Sequence, residues 1–432
     1  VEKNYHKANP TTATLLSIIP GLGQFYNRQI FKGIVFLAVF ILFVYQMAVF
    51  GFNALSGLVT LGSTPGEDHS LFMLISGTLQ LLVVIIFLFF YIMNLLDARK
   101  IAKFWREGKK VNTTMMEILH NIYEHGFPYL LTLPAYFAMI FAIVFPVLVT
   151  IFIAFTNYDF YHIPPANLID WVGFKNFSNI MILGSYRETF LAVLSWTIIW
   201  TLCATTLQIT LGILTAVVLN QKFIKGRRIF GIIFLLPWAV PAFITIMSFS
   251  NMFNDSIGAI NSQVLPIINA LPFVDIGPLP WKTDPFWTKI AIIMVQGWLG
   301  FPFIYVLTTG ILQSIPEELY EAAKIDGANA FQRFRTITFP SILAIAAPIL
   351  ITQYTGNFNN FSMIYLFNEG GPGSIGANAG STDILISWIY KLTTGTSPQY
   401  QVAAAVTLII SLIVIGISLI LFKKTKAFEM GD

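Results

Sequence analysis

Between two long apolar stretches the chain reads Ser314-Ile-Pro-Glu-Glu-Leu-Tyr-Glu-Ala-Ala-Lys-Ile-Asp-Gly-Ala-Asn-Ala-Phe-Gln-Arg-Phe-Arg-Thr-Ile-Thr-Phe-Pro340. Pro316 near the start, Glu317 and Glu318 in the first turn and Lys324 in the last have the polarity of a short helix, whose N-terminus favours negative charge and whose C-terminus favours positive. Gly327 ends that helix, and a second begins near Asn329. Ala322 and Ala323 leave one face of the first helix small enough for another protein to approach closely. The segment predicts a helix, a glycine break and a further helix lying against one side of a membrane.

The flanking stretches, residues 290–313 and 341–367, have six counterparts at 33–52, 71–96, 127–156, 189–219, 229–250 and 402–422, and none of the eight contains Asp, Glu, Lys or Arg. A bilayer core needs about 20 consecutive apolar residues per helix. The chain of 432 residues is 56% hydrophobic and 11% charged, well below the roughly 25% charged residues of a soluble domain. Alternation at period 2 is missing, which argues against a transmembrane β-barrel. The fold class is therefore an all-α membrane protein of eight transmembrane helices.

Positive residues stay on the cytoplasmic side, so the loops orient the chain. The N-terminus carries four Lys or Arg, the 99–110 loop six, the 222–228 loop four, the 324–335 loop three and the tail three, leaving five of the 25 for the other loops. An even number of spans then places both termini in the cytoplasm. The basic N-terminus followed by an apolar stretch has the outline of a signal peptide, but the first span is too long and lacks a small-residue cleavage site, so it is expected to remain as an anchor.

The long basic linker from Asp97 to Gly126 divides the chain into residues 1–126, with an interfacial segment and two spans, and residues 127–432, a six-helix body containing the 314–340 loop. Upstream of the first span, Leu16-Ser-Ile-Ile-Pro-Gly-Leu-Gly-Gln-Phe-Tyr-Asn27 reads as a Pro/Gly turn of an interfacial hairpin; Gly21-Leu-Gly23 lacks the strand and the further glycines of a dinucleotide site. No stretch reads G-x-x-x-x-G-K-[ST], no His/Cys/Asp/Glu cluster has metal-ligand spacing, and the lone Cys203 lies inside a span, so neither catalysis, nor a cofactor, nor a metal is expected in this chain.

Glu321-Ala322-Ala323, Gly327, Ile337 and Pro340 resemble, at the same spacing, the cytoplasmic signature of ABC importer permeases, with Phe339 in place of a leucine. The resemblance implies that Glu321, Ala322, Ala323 and Gly327 form the surface that docks on an ATPase subunit. ATP and Mg would be bound by that partner.

Three spans are interrupted in sequence: the fifth by Pro237-Trp-Ala-Val-Pro241, the sixth by Gln296-Gly-Trp-Leu-Gly-Phe-Pro302, and the seventh by Pro348 and by Gln353-Tyr-Thr-Gly-Asn-Phe-Asn-Asn-Phe361. Broken backbone at membrane depth is tolerated where it is buried in protein or lines a polar cavity. Gln353, Asn357 and Asn360 recur at i, i+4 and i+7, which puts three amides on one helical face, with Tyr354, Phe358 and Phe361 as a parallel aromatic stripe. Amides donate to and accept from hydroxyls without carrying charge, which suits an uncharged polyol. Amides also bond helices to one another within bundles, so the residues alone leave both readings open.

Here the resemblance narrows to the larger permease of bacterial maltose and maltodextrin importers, through Leu236-Pro-Trp-Ala-Val-Pro241, Trp298-Leu-Gly-Phe-Pro302, Asn357-Phe-Asn-Asn-Phe361, Gly370-Gly-Pro372, Thr382-Asp-Ile-Leu385 and Ala403-Ala-Ala405, over residues 127–432. It implies sugar contacts at Leu299, Gly300, Asn357 and Asn360, with Gln353, Gly356, Phe303 and Trp238 beside them. It also implies a second, smaller permease, an ATPase homodimer and an extracellular sugar-binding lipoprotein, in the membrane lipid of a bacterial cell; no nucleic acid partner is expected. Trp238 and Phe303 stand where tyrosines are expected and Gly356 where a phenylalanine is expected, and the external segment after the third span is short. These departures point to a glucan of some length. A permease for another neutral oligosaccharide and an ion-coupled secondary carrier are the competing readings; the carrier is disfavoured because the eight spans hold no ionisable residue for a coupling ion.

Overall fold

The computed structural model describes residues 8–109, 111, 114–221, 223–273 and 275–425. Lys3, Lys7, Lys110, Lys222 and Lys426 of the charge pattern lie outside these residues. Among the described residues there is no β-strand beyond two isolated bridges. Seven helices among the described residues are long and apolar enough to cross a membrane: Ile30–Thr60, Ser70–Arg106, Phe127–Ala154, Gly184–Leu219, Pro285–Ser314, Ala330–Asn368 and Tyr400–Ile420. The expected fifth span is a pair, Arg227–Ala239 and Ala242–Met252, bent by 90°. Counted as one broken span it brings the total to eight.

The bend follows from Pro241. The residue before a proline is pushed out of helical conformation, and Val240 is extended at φ −111°, ψ 136°. The other expected interruptions fall differently. Pro302 and Pro348 both lie inside continuous helix, so the sixth span is unbroken and the seventh does not break at its proline. One missing backbone donor does not end a helix that is packed along its length, and Pro285–Ser314 is buried along one side at Ala291, Ile292, Val295, Phe301, Ile304 and Ile311. The seventh span breaks instead at Asn359 and Asn360, where the Asn360 side chain accepts from Met363 N at 3.2 Å and starts a new helix, Phe361–Asn368.

The chain forms two compact units, Val1–Gly173 and Phe174–Asp432. Within the first unit the third span packs on the N-terminal pair: Val149, Phe152 and Ile153 cover the buried Leu61, Leu74 and Ile169. In this first unit the stretch Leu16–Asn27 is the turn and second arm of a helical hairpin, Pro10–Leu16 and Leu22–Tyr26. The hairpin lies along the second span from Trp105, whose Nε1 donates to Asn27 O, to Tyr91, whose hydroxyl donates to Ile18 O. At about 1.5 Å per residue that is roughly 20 Å of helix.

In the second unit Gly184–Leu219 and Pro285–Ser314 pack side by side, with Ala330–Asn368 against both. Their buried apolar residues fall into two groups. One gathers Trp196, Trp200, Ala204, Ala291, Ile292, Val295, Met363, Ile364 and Phe367 with Ile246 of the bent pair and residues of the neighbouring loops. The other gathers Ile213, Ile304, Ile311, Ile342, Ala346 and Leu350. Between these groups lie Thr205, Gln208 and Gly212 on the first of these helices, Gln296, Gly297 and Gly300 on the second, and Gln353, Asn357 and Asn360 on the third, which together form a polar layer.

Candidate functional site

The polar layer is built from amides. Gln208, on Gly184–Leu219, is buried and sits at its centre: its Oε1 accepts from Gln296 Nε2 at 3.1 Å and from Asn357 Nδ2 at 3.2 Å, and its Nε2 donates to Gln353 Oε1 at 3.1 Å. Asn357 Nδ2 also donates to Thr205 Oγ1 at 2.9 Å. Asn360 Nδ2 donates to Gln296 Oε1 at 3.0 Å and to Asn357 Oδ1 at 3.3 Å. The three amides expected on one face of the seventh span therefore do share a face, and that face meets the fourth and sixth spans.

Asn357 is only 4% exposed, and Trp200 Nε1 donates to its carbonyl at 2.9 Å. In this conformation it bonds other helices. Gln353 and Asn360 are half-buried and Gly356 is exposed, with nothing within 4 Å of where a Cβ would lie. Leu299 packs against the aromatic cluster and Phe303 against the aliphatic one. Gly300 has a steric role: a Cβ there would lie 2.0 Å from Gln208 Oε1, so only glycine leaves room for the glutamine. Trp238 is 52% exposed, its ring 6.0 Å from that of Phe303; neither hydrogen-bonds into the amide layer.

The rings of the aromatic stripe fall in two places. Tyr354 and Phe358 line an apolar pocket with Ile198, Leu202, Ile351 and Val414, and Tyr354 shares a hydrogen bond of 3.0 Å with Thr206. Phe361 stacks on Tyr365 at 5.0 Å, with Tyr390 edge-on to both. Amides and rings both meet the fourth span, the amides at Thr205 and Gln208 and the rings at Ile198, Leu202 and Thr206.

On the segment following the sixth span, Glu317–Ile325 is helical and Asp326 ends it. Gly327 has φ +77° and the Ala328 N–H returns to Ala323 O at 2.9 Å, a left-handed turn that glycine adopts without steric cost. Asn329 then caps the next helix through a reciprocal pair with Gln332. Glu321, Ala322 and Gly327 are exposed and Ala323 is half-buried. Around them Ile325 is 87% exposed and Leu319 and Phe331 are exposed too, an apolar fringe on an otherwise charged turn. The Tyr320 hydroxyl ties the turn to Thr338 at 3.0 Å.

A family model for the inner membrane component of binding-protein-dependent transport systems matches residues 208–426. The chain belongs to this permease family. The match begins at Gln208 and takes in every amide of the layer and the whole exposed turn. A second model, a family of unknown function, covers residues 6–53, the hairpin and most of the first span. The permease is 71% identical over 416 residues to the maltodextrin transport system permease protein MdxF of Bacillus subtilis (strain 168), covering 96% of each chain. It is 66% identical over 430 residues to the maltodextrin transport system permease protein MalC of Streptococcus pneumoniae (strain ATCC BAA-255 / R6), covering 99% of each. The permease also resembles a chain from the crystal structure of a bacterial ABC transporter involved in alginate import, with TM-score 0.58 at 20% identity, covering 72% of this chain and 98% of that one; this likeness concerns the fold alone. As a family member the permease is a multi-pass membrane subunit and not an enzyme.

Sequence reasoning did not reach Gln208. The fourth span has neither a proline break nor an Asn-rich run to draw attention. Its signal is a polar stripe, Thr201, Thr205, Gln208 and Gly212, at helical spacing along one face.

Proposed function

We propose that this chain is the larger pore-forming permease of an ATP-driven importer of malto-oligosaccharides, and that the amide layer borders the sugar's path. The observation that carries the reading is mechanical continuity. The sixth span, which bears Gln296 and Gly300, runs directly into the exposed turn at Glu317–Ile325, and the turn runs into the seventh span, which bears Gln353, Asn357 and Asn360. A push on Glu321, Ala322, Ala323 and Gly327 therefore moves two of the three walls of an uncharged, hydrogen-bonding layer. Closure of an ATPase homodimer holding ATP and Mg supplies such a push as a rigid-body shift.

Opening the layer exchanges amide–amide bonds for amide–hydroxyl bonds. Such an exchange is nearly balanced in energy, because protein–ligand bonds replace protein–protein bonds of the same kind. Sugar then meets Asn357, Asn360, Gln353 and the room beside Gly356, with Leu299, Phe303 and Trp238 as apolar neighbours. A second, smaller permease completes the pore, and an extracellular sugar-binding lipoprotein delivers the cargo. Positive loops place both termini in the cytoplasm of the bacterial cell. The near-full-length similarity to permeases named for maltodextrin supports the choice of sugar.

The test is uptake of labelled maltotriose into proteoliposomes holding the complete transporter. Uptake is expected to require ATP on the side of the turn and to stop when Glu321→Lys and Gly327→Val are combined, with the complex still assembled. The isolated chain should hydrolyse no ATP. Uptake driven by a sodium or proton gradient without ATP would sink the reading.

A further inference from the structure

We propose that Gln208 is a positioning residue of this path: it aims the amide nitrogen of Gln353 at the oxygens of the passing sugar. The inference rests on the amide layer bordering the path.

The hydrogen bonds of the layer run one way. Asn360 donates to Gln296 and Asn357, both of these donate to Gln208 Oε1, and Gln208 Nε2 donates to Gln353 Oε1. Two donors on its oxygen fix which way the Gln208 amide faces, so its nitrogen must point at Gln353. Gln353 in turn must present its oxygen to Gln208 and its nitrogen elsewhere. That nitrogen has no acceptor among the described residues, and the side chain is half-buried. A chain of hydrogen bonds polarises its members, so the last N–H group in line is a stronger donor than a lone amide. Its natural acceptor is a hydroxyl or ring oxygen of a neutral sugar.

The chain also has a fixed beginning. Asn360 Oδ1 accepts from Met363 N as the cap of Phe361–Asn368, which holds the Asn360 nitrogen toward Gln296. The relay thus starts at a helix cap, passes through the buried Gln208 in the space that Gly300 leaves, and ends in one open donor. Gln208, buried within the layer, acts on sugar through Gln353.

The experiment is equilibrium binding of labelled maltotriose to the purified complete transporter, without the external binding protein. Gln353→Ala removes the terminal donor, and Gln208→Met keeps length and volume while removing both polar ends. Each should weaken binding about five- to tenfold, the effect of one hydrogen bond in a partly dry site. The double variant should be no weaker than either single, because the two substitutions remove the same contact. Gln208→Glu is the rescue. Protonated, it offers one acceptor oxygen and one hydroxyl donor in the same directions, so binding should return at low pH and fall as the carboxyl ionises with rising pH, because a carboxylate has no proton to donate to Gln353, while the unaltered protein stays flat. That pH profile is not expected of a residue that merely fills space. If Gln353→Ala weakens binding but Gln208→Met is silent, or the two effects add, the positioning role falls and the path stands. If Gln353→Ala binds normally, the path itself must leave the seventh span, and the positioning role goes with it.

Discussion

Each compact unit buries a cluster of amides among apolar helices, and the two clusters are wired differently. In the first, side chains bond to backbone. Asn94 on the second span donates to Ser17 O at 2.8 Å and accepts from Gly21 N at 3.3 Å, Gln24 donates to Asn94 O at 3.1 Å, and Asn27 donates to Ala98 O at 2.8 Å. Lys32 and Asp97 close the cluster at 2.9 Å. In the second, amides bond mainly to amides, across three helices, and the last has a free donor. Backbone groups cannot be exchanged without unfolding the hairpin, whereas side-chain amides trade partners by rotating. The first cluster is built to hold and the second to rearrange.

The largest effect should come from removing the holding residue. Asn94→Leu leaves Ser17 O and Gly21 N without partners in an apolar setting, which costs about 2–4 kcal/mol for two such groups. Yield and thermal stability of the complex should drop, while maltotriose uptake per assembled transporter stays within about twofold, since ordinary packing changes away from a site rarely alter its chemistry. Asn357→Ala is the mirror image. Uptake of every sugar length should fall about tenfold, the effect of one to two hydrogen bonds, with a smaller change in melting temperature than Asn94→Leu. Equal losses of stability and of specific uptake in both variants would erase the distinction.

The two clusters were unequally legible in the sequence, for physical reasons. Spans and loops are written in composition, because a charge within the bilayer is costly wherever it stands. The turn at Gly327 is written in local chemistry, since Pro316, Gly327 and Asn329 each fix a backbone feature within a few residues of themselves. The face made by Gln353, Asn357 and Asn360 is legible because a helix repeats it. What those amides bond to is a matter of tertiary packing: Asn357 was expected to meet sugar and in this conformation meets Gln208 and Thr205. Prolines misled in the sixth span, where Pro302 sits in continuous helix. Leu16–Asn27 reads as a hairpin turn, but its hold on Asn94, some 70 residues away, has no local signature.

A smaller effect is expected at Gly356, which tests the second cluster from its open side. It is exposed beside Gln353 and Asn357, and a Cβ would meet nothing within 4 Å. Gly356→Phe should therefore fold normally, because a benzyl group finds room where a packed interior would refuse it. Its ring narrows the space beside the amides, so uptake of maltohexaose should fall several-fold more than uptake of maltose. A loss equal at all lengths would mean that the ring disturbs the layer itself and that the space beside Gly356 does not carry sugar.

The smallest effect concerns a side-chain amide pair that lies in the first unit. Gln46 on the first span donates to Gln80 Oε1 on the second, and Gln80 Nε2 donates back to Gln46 Oε1 at 3.2 Å. The pair is wired like the second cluster, amide to amide, but a reciprocal pair satisfies itself and offers nothing to a ligand. Replacing one member strands the other, so Gln46→Leu should cost about 1 kcal/mol or more. Replacing both removes the donor and the acceptor together, and interhelical polar pairs in membranes contribute only about 0.6 kcal/mol on average. The Gln46→Leu, Gln80→Leu double variant is therefore expected to regain most of the stability lost by the single one and to transport maltotriose normally. Melting temperatures of the purified complex and uptake rates for the single and double variants measure this. The equivalent double removal in the other unit, at Gln208 and Gln353, should keep its transport defect, because there the last amide points outward. If the Gln46/Gln80 double variant also lost transport, bonding between amides would be needed for the transport cycle wherever it occurs, and the open donor at Gln353 would no longer set the second cluster apart.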